Sequence, residues 1–370
     1  MKFAVITHVK HHFHDGKFYA YGPYVREMNL WFTHVDEVLL IAPSNTETPS
    51  DINLTYKAKN LKNYRIPSLS ITSFTETLRT IILIPGILFR IWNVMRKADH
   101  IHLRCPGTIG LLGCFVQILF PKKTKTAKYA GNWDPKSIQP LSYRLQKKIL
   151  NNTFFTRNMQ VLVYGEWEGM SKNIKPFFTA TYRKNKIGIK VDKTFKSPFS
   201  FLFIGSLVAG KQPLYAIQLV ENLLKKGIIC RLDLYGDGIL LASLKQYVND
   251  NLLMDAIYFH GNKESGIVEK AYKKSQFLVL PSKSEGWPKV IAEAMFWGVI
   301  PIASSISCVP WMLNKGERGV LLKMILEEDI KQLEECLRNH VELNEMSQNA
   351  QSWSHNYTLD DFEFEIKKLL

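Results

Sequence analysis

Short apolar runs alternate with longer amphipathic stretches along most of the chain. The runs at residues 2–9, 38–42, 161–164, 277–280 and 299–303 are rich in Val, Ile, Leu and Phe, which is typical of strands buried on both faces of a parallel sheet. The stretches between them place apolar residues at helical spacing. Because strands alternate with helices, the pattern predicts an α/β fold with doubly wound parallel sheets.

One stretch, residues 72–97, is apolar enough to raise the question of a membrane. We expect one or two helices there, broken at Pro85-Gly86. The apolar centre at 81–89 is too short and too interrupted to span a bilayer, which needs about 20 apolar residues. Since basic residues flank it, the stretch is expected to lie on a membrane surface or, as the favoured role, to pack against the sheet.

Length and composition predict two domains in a reducing compartment. A chain of 370 residues, 46% of them hydrophobic, is long enough for two separate cores and is not of disordered composition. We expect a first domain at 1–185, a linker at 186–198, a second domain at 199–350 and a C-terminal helix at 351–370. The five cysteines form no CxxC or paired framework, and no secretory signal is evident, so a cytoplasmic setting is expected.

The charge of the chain is concentrated in its first half. Residues 1–200 hold 30 Lys and Arg against 12 Asp and Glu, whereas residues 201–370 hold 18 against 21. A basic half of this kind suits an anionic partner, such as a membrane leaflet, a nucleic acid or a phosphate-bearing acceptor. The alternative is a domain that is merely basic.

A histidine-rich segment follows the first strand, at residues 8–16, and precedes a predicted helix at 19–31. It holds four histidines and an aspartate. The spacing matches no established set of metal ligands, so contact with a ligand or acceptor, or an ordinary loop, is favoured over a metal site. Active-site loops follow strands in this architecture, which makes His14 and Gly16 candidates for such a contact.

Two glutamates lie eight positions apart across a predicted junction between a strand and a helix, in residues 281–295. Glu285 follows the strand at 277–280, and Glu293 lies about five residues into a helix that begins near Pro288, about 7–8 Å along its axis. The pair could reach two hydroxyl-bearing rings of one extended ligand while the helix amides face an anion between them. Alternatively, Glu285 interacts only with the helix dipole and Glu293 is solvated.

A glycine-rich turn at residues 205–211 ends in Lys211 and leads into a helix. Close backbone approach and an ammonium group suit phosphate. The turn is not a P-loop, because Gln212 stands where a metal-binding hydroxyl should be, and no GxGxxG fingerprint is present. Loops at Lys211, Gly236, Gly261 and Glu285 all follow predicted parallel strands, so we expect them to converge on one edge of the sheet.

Four motifs in residues 199–322 occur in the order found in the retaining glycosyltransferases of family 4, which the chain resembles. They are Gly-Ser-Leu-Val-Ala-Gly-Lys at 205–211 for G-R-L-x-x-x-K, Tyr-Gly-Asp-Gly at 235–238 for G-D-G, Phe-His-Gly at 259–261 for F-x-G, and 281–295 for P-S-x-x-E-G…E-A-M. The resemblance implies the GT-B fold, in which two Rossmann-like domains face a central cleft. It also implies a final helix that crosses back to the first domain.

The resemblance implies roles for the motif residues. Lys211 would bind the diphosphate of the donor, Glu293 its ribose and Glu285 the transferred sugar, with Glu285 and Lys211 as the catalytic pair. Ser206 replaces the usual family arginine, and Lys289 or Arg104 would have to supply that charge. The implied donor-binding residues are Gly205, Ser206, Lys211, Gly236, His260, Gly261, Gly286, Trp287, Pro288, Lys289, Val290 and Glu293.

The first domain resembles the family only in layout, and it would bind the acceptor. Its candidate contacts are His14, Gly16, Arg104, Asn132 and Asp134. No metal or cofactor is expected beyond a UDP- or GDP-linked sugar as donor substrate.

The implied activity is retaining transfer of a sugar to an acceptor hydroxyl in synthesis of a bacterial surface polysaccharide. The partners would be a glycan or polyprenyl-diphosphate-linked saccharide and the inner face of the membrane, contacted peripherally through the basic half, and no nucleic acid. One alternative is a nucleotide-sugar-binding protein with impaired catalysis, because of Ser206. A weaker one is a nucleic-acid-binding protein, for which no reading motif is recognisable.

Overall fold

The structure, a computed structural model, describes residues 1–50, 52–69, 73–189, 191 and 193–370. These residues form two compact units, Met1–Phe178 with Glu363–Leu370, and Thr179–Phe362. The boundary therefore lies seven residues before the predicted one, and the described part of the segment predicted as a linker belongs to the second unit. Both units are built of helices and mostly parallel strands, which confirms the predicted fold class.

The described part of the first unit contains one ten-stranded sheet in the order β10-β9-β8-β7-β1-β4-β2-β3-β5, with β6 paired to β4. Its strands are β1 (Lys2–Ile6), β2 (His11–His14), β3 (Lys17–Tyr21), β4 (Glu37–Asn45), β5 (Asn53–Thr55), β6 (Leu61–Ile66), β7 (His100–Cys105), β8 (Thr124–Tyr129), β9 (Met159–Tyr164) and β10 (Ile174–Phe177). Its helices are α1 (Gly22–Phe32), α2 (Phe74–Lys97), α3 (Thr108–Val116) and α4 (Leu141–Leu150).

Helices cover both faces of this sheet. The connections through α2, α3 and α4 all run in the same direction across the strand order, so right-handed crossovers place these helices on one face and α1 on the other. Side chains of α2, α3 and α4 share one apolar core with β1, β4, β7, β8 and β9. Strand β1 is buried throughout Phe3, Ala4, Val5 and Ile6, as a parallel strand covered on both faces should be.

The histidine-rich segment is a β-hairpin. Strands β2 and β3 pair antiparallel, and Asp15 and Gly16 between them have φ of 47° and 72°, as a two-residue hairpin turn requires. The prediction of a loop followed by a helix from residue 19 is therefore wrong, and α1 begins at Gly22. The Asp-Gly pair is the local signal for this turn.

Helix α2 runs through Pro85 without the predicted break. Ile87, Ile91, Val94 and Met95 on one face are buried in the core of the first unit, which anchors the second half of the helix to the sheet. The whole helix is long and apolar enough to cross a membrane by length and composition alone, whereas the prediction considered only its apolar centre at 81–89.

The described part of the second unit contains a six-stranded parallel sheet in the order β13-β12-β11-β14-β15-β16. Its strands are β11 (Phe199–Ile204), β12 (Cys230–Tyr235), β13 (Ile257–Gly261), β14 (Phe277–Leu280), β15 (Ile300–Ser304) and β16 (Val320–Leu322). Its helices are α5 (Pro213–Lys225), α6 (Leu241–Asp250), α7 (Ser265–Lys274), α8 (Lys289–Phe296), α9 (Val309–Met312), α10 (Leu326–Arg338), α11 (His340–Ser354) and the start of α12 (Leu359–Leu369). The five predicted strands are confirmed, and β16 was missed because it has only three residues.

The last residues of the chain belong to the first unit. The Glu363 carboxylate lies 3.0 Å from His34 Nε2, and Glu365 forms an ion pair with Lys175 at 2.5 Å. Both partners of each pair lie in the first unit, so these contacts attach the end of α12 to it.

Candidate functional site

The loops after β11, β12, β13 and β14 are tied together at the carboxyl edge of the second sheet. Backbone hydrogen bonds join them: Gly205 N to Tyr235 O at 3.0 Å, Gly236 N to Gly261 O at 2.9 Å, and Lys283 N to Gly210 O at 2.9 Å. These are the loops that carry the predicted donor-binding residues. Open α/β sheets bind ligands at this edge, so this edge is the candidate site of the second unit.

Two glycines allow the first two loops to touch. A Cβ atom on Gly236 would lie 1.9 Å from the carbonyl oxygen of Gly205, and one on Gly238 would lie 2.5 Å from that of Leu207. Gly236 also has φ of +141°, a conformation that side chains rarely allow. The loops can therefore approach each other only with glycine at both positions of the Gly-Asp-Gly motif, whether or not a ligand binds.

Replacing Gly236 with alanine is expected to lower the free energy of unfolding by at least about 2 kcal/mol. The backbone at Gly205 must move to make room for the new Cβ atom, and the alanine must adopt a backbone conformation that side chains rarely allow. Gly210→Ala is the matched control in the neighbouring loop, since nothing lies within 4 Å of its Cβ position. Urea denaturation of both variants tests this. Equal stability of the two variants would contradict the close approach of the loops.

Lys211 and Glu285 meet across two of these loops. The lysine Nζ forms an ion pair with Glu285 Oε1, and the two side chains are 30% and 10% exposed. Gln212, with φ of +49°, turns the chain into α5 directly after Lys211. The site thus places an ammonium group beside a largely buried carboxylate. The ammonium group can contact an anionic group of a ligand while the carboxylate contacts a neighbouring hydroxyl group of the same ligand.

Glu293 is held in place from two sides. Its Oε1 accepts a hydrogen bond from Thr181 Oγ1 at 2.7 Å, and its Oε2 accepts one from the buried Tyr272 hydroxyl at 3.0 Å. Burial and the nearby Glu293 carboxylate raise the pKa of Tyr272, so its hydroxyl stays protonated and donates. The alternative of a solvated glutamate does not fit these contacts.

The segment between the glutamates is anchored by aromatic packing. Trp287 is buried with its ring centroid 6.1 Å from that of Trp353, 6.2 Å from Trp311 and 5.9 Å from Tyr357. The side chain thus packs inside the second unit, and only the backbone at this predicted donor-binding residue is suited to ligand contact. The sequence carried no signal for this cluster, because its members are far apart in the chain.

The start of α8 provides main-chain donors. Pro288 is the N-cap and Lys289 the first helical residue, so Pro288 precedes the helix rather than starting it, and the amides of Lys289 and Val290 belong to the first turn. The carbonyl of Gly286, two residues before Pro288, accepts hydrogen bonds from Ser307 Oγ at 3.3 Å and Cys308 Sγ at 3.1 Å. These bonds fix the loop that carries Glu285. An anion placed at the helix start would meet unpaired amides.

A flat aromatic pair borders the other end of the same edge. The rings of Tyr235 and His260 stack with centroids 4.4 Å apart and planes at 15°. His260 Nε2 bonds Asp233 Oδ1 at 2.7 Å, and Arg231 Nε lies 3.2 Å from the other oxygen of that carboxylate. The family resemblance had singled out His260, which lies within β13, whereas the side chains of Tyr235 and Asp233 were not identified.

Arg104 is paired inside the first unit. Its guanidinium is buried in the first unit, forms an ion pair with Glu27 and lies 5.2 Å from the Tyr24 ring centroid. Coulombic attraction by Glu27 helps to raise the pKa of Arg104 against the opposing effect of burial. This arginine therefore stabilises the first unit internally. Lys289, the other cation proposed to compensate for Ser206, begins α8 at the candidate site.

The other acceptor-side candidates lie in local turns. Asn132 Oδ1 accepts from the Asp134 amide at 2.8 Å, and Asp134 Oδ1 accepts from the Lys136 amide at 2.8 Å, so both side chains close a local turn. His14 and Gly16 lie at the turn between β2 and β3, whereas Asn132 and Asp134 follow β8.

A cavity of about 290 Å³ in the first unit contains none of the five candidates. It lies at the carboxyl ends of β1, β4 and β7, and its lining includes His8, Lys10, Thr108 and Tyr143. A Cβ atom on Gly107 would lie 2.8 Å from the His8 ring, so this glycine makes room for the imidazole. The position of His8 and Lys10 after the first strand was the available signal.

The described part of the chain contains no group of three or more His, Cys, Asp or Glu side chains arranged to hold a metal ion. The expectation that no metal takes part remains a prediction.

Comparison with known proteins finds a family match within the second unit. Residues 186–353 match the family model described as "Glycosyl transferases group 1". An uncharacterized glycosyltransferase of Methanocaldococcus jannaschii is 27% identical over 169 residues, which are 45% of this chain and 46% of that protein. The alpha-D-kanosaminyltransferase of Streptomyces kanamyceticus is 25% identical over 150 residues, 40% of this chain and 39% of that protein. The chain thus spans less than half the length of these two curated relatives.

Similarity in structure extends over both units. The crystal structure of HepE from Anabaena in complex with UDP aligns with 100% of this chain and 99% of that chain, at 14% sequence identity and a TM-score of 0.68. At this identity the match establishes the fold alone. The chain therefore has the GT-B fold, and its residues 186–353 match the glycosyl transferases group 1 model.

Proposed function

We propose that the protein is a retaining glycosyltransferase that moves a sugar from a nucleoside diphosphate to an acceptor hydroxyl. The observation that carries this proposal is the pair Lys211 and Glu285 in contact on the edge where Glu293 and the start of α8 also lie. Lys211 binds the diphosphate, Glu285 the transferred sugar and Glu293 the ribose. The stacked Tyr235 and His260 border the base.

Charge development explains why these groups would accelerate transfer. The bond from the anomeric carbon to the diphosphate oxygen breaks, and negative charge grows on the leaving group. Lys211, Lys289 and the first amides of α8 stabilise that charge more in the transition state than in the ground state, which is the condition for catalysis. The acceptor oxygen attacks from the same face, and its proton passes to the leaving phosphate. This route keeps the anomeric configuration without an enzymic nucleophile.

The acceptor would be a glycan or a polyprenyl-diphosphate-linked saccharide in synthesis of a cell-surface polysaccharide. The excess of basic residues in positions 1–200 favours an anionic acceptor. The cavity beside Lys10 and Tyr143 in the first unit is a candidate for this acceptor site. A cytoplasmic enzyme at the inner membrane face would meet both nucleotide sugar and lipid-linked acceptor.

The first experiment determines which nucleotide sugar the protein binds as donor. Thermal denaturation with UDP, GDP and their sugars should raise the melting temperature with one base, because a ligand that binds only the folded state stabilises it. Single-turnover reactions with that donor and candidate acceptors, followed by NMR of the anomeric proton, then test transfer and retention. Donor binding without sugar transfer to any acceptor would favour a binding protein, and an inverted product would overturn the retaining mechanism.

A further inference from the structure

Helix α2 has a second apolar face that points away from the core. Leu78, Ile81, Ile82 and Phe89 are all exposed. Because an α-helix turns about 100° per residue, these four residues and the exposed Pro85 fall within an arc of about 100° around the helix axis. We call these five residues the outer stripe. Exposed large apolar side chains grouped along one helix face mark an interaction surface.

The opposite face decides how α2 could meet a membrane. Ile87, Ile91, Val94 and Met95 are at most 2% exposed and belong to the core of the first unit. Removing them from the sheet to span a bilayer would expose that core. The helix can therefore present only its outer stripe, as a helix that lies in the plane of a membrane surface does.

Cations border the outer stripe along one side. Arg79, Arg90 and Lys97 are exposed and fall within about 20° of one another around the helix axis. Glu76 is the only acidic residue of α2, and it lies 3.9 Å from Arg79. An apolar stripe with a basic border complements a bilayer with anionic headgroups, because apolar side chains enter the acyl boundary while cations meet phosphates.

The neighbouring helix continues this surface. Phe115 at the end of α3 and Leu119 in the turn that follows are exposed and one helical turn apart. Helices α2 and α3 cover the same face of the sheet and share its core, so their outer sides both face away from it. Several exposed apolar side chains on adjacent helices suit a broad lipid surface better than a narrow groove.

We propose that the outer stripe and its basic border bind the surface of an anionic lipid bilayer. The proposal deepens the peripheral location in the proposed function, and it rests on that function only for the lipid-linked acceptor. Vesicle binding is measured without donor or acceptor. A failure of this proposal is therefore distinguishable from a failure of sugar transfer.

Flotation of the full chain with vesicles tests the outer stripe. The wild-type protein should float with phosphatidylglycerol-containing vesicles and much less with pure phosphatidylcholine. Ile82→Asp with Phe89→Asp, at side chains 70% and 64% exposed, should lower the bound fraction about ten-fold or more. Ile229→Asp with Leu252→Asp, at 66% and 81% exposed in the second unit, changes charge equally and should float like wild type.

A second pair of variants tests the basic border. Arg79→Gln, Arg90→Gln and Lys97→Gln together should abolish the preference for anionic vesicles and its salt dependence. Lys245→Gln, Lys270→Gln and Lys331→Gln remove the same charge from exposed positions of the second unit and should leave the preference intact. Equal losses in the two triple variants would show a general charge effect and overturn the assigned surface.

Self-association is the other occupant to test. If the wild-type chain forms a dimer that Ile82→Asp with Phe89→Asp dissociates, while neither binds vesicles, the outer stripe contacts a second copy and the lipid proposal is overturned. Sedimentation velocity with and without vesicles measures this directly.

Discussion

Replacing Lys211 with alanine is expected to lower the rate of sugar transfer about 100- to 1,000-fold, the usual cost of losing one group that stabilises transition-state charge. The reason is the position of its ammonium group beside Glu285, on the loop that leads into α5. The effect should fall mainly on kcat, because charge on the diphosphate increases as the glycosidic bond breaks.

The control for Lys211 separates catalysis from stability. Lys226→Ala, at the C-cap of the same helix, also removes a lysine that pairs with a glutamate, Glu334 at 2.7 Å, and should leave the rate unchanged. Because Lys211→Ala leaves a largely buried carboxylate without this partner, it should also destabilise the fold. Adding Glu285→Gln should recover the melting temperature but not activity. Transfer by Lys211→Ala within two-fold of wild type would remove Lys211 from the mechanism.

Replacing Glu293 with alanine is expected to weaken donor binding about 10- to 100-fold, the range for losing a hydrogen bond to a charged group. The Tyr272 hydroxyl would then lose an acceptor at 3.0 Å. Tyr272→Phe should weaken binding only several-fold, since the carboxylate remains while one bond that orients it is lost. Titration calorimetry with the nucleoside diphosphate and with its 2′,3′-dideoxy analogue measures the effect.

The comparison between nucleotides assigns the role of Glu293. If it binds ribose, affinity for ribose-containing ligands should fall in Glu293→Ala while affinity for the 2′,3′-dideoxy nucleotide stays near that of wild type. Glu327→Ala, an exposed glutamate on α10, provides a control for loss of charge. A variant that binds both nucleotides as tightly as wild type would show that Glu293 serves only the packing around Thr181 and Tyr272.

The second unit was largely predictable because its informative residues lie next to strand ends. Gly205, Lys211, Gly236 and Glu285 follow buried apolar runs, and parallel strands bring their carboxyl ends to one edge. Local spacing therefore carried most of the information about that edge. What it lacked was the contact of Lys211 with Glu285, which depends on the distance between two loops 74 positions apart in the chain.

The first unit was less predictable because its polar residues acquire their roles from distant partners. Arg104 ends a strand, as a ligand contact would, yet the carboxylate of Glu27, 77 positions earlier in the chain, holds it in the interior. The Asp15-Gly16 turn converts a presumed loop into a hairpin. Only packing distinguishes these possibilities, since a buried ion pair and a ligand contact use the same side chains.

By itself, the sequence determined the α/β class, the five main strands of the second unit and the edge at which its glycine, lysine and glutamate residues gather. These follow from periodicity and short spacing, which are properties of neighbouring residues. Tertiary structure alone decided that Glu293 is held by Thr181 and Tyr272, that Trp287 faces a core, and that α2 buries one apolar face and exposes another. Such outcomes depend on which distant side chains compete for the same space, and local pattern does not contain that information.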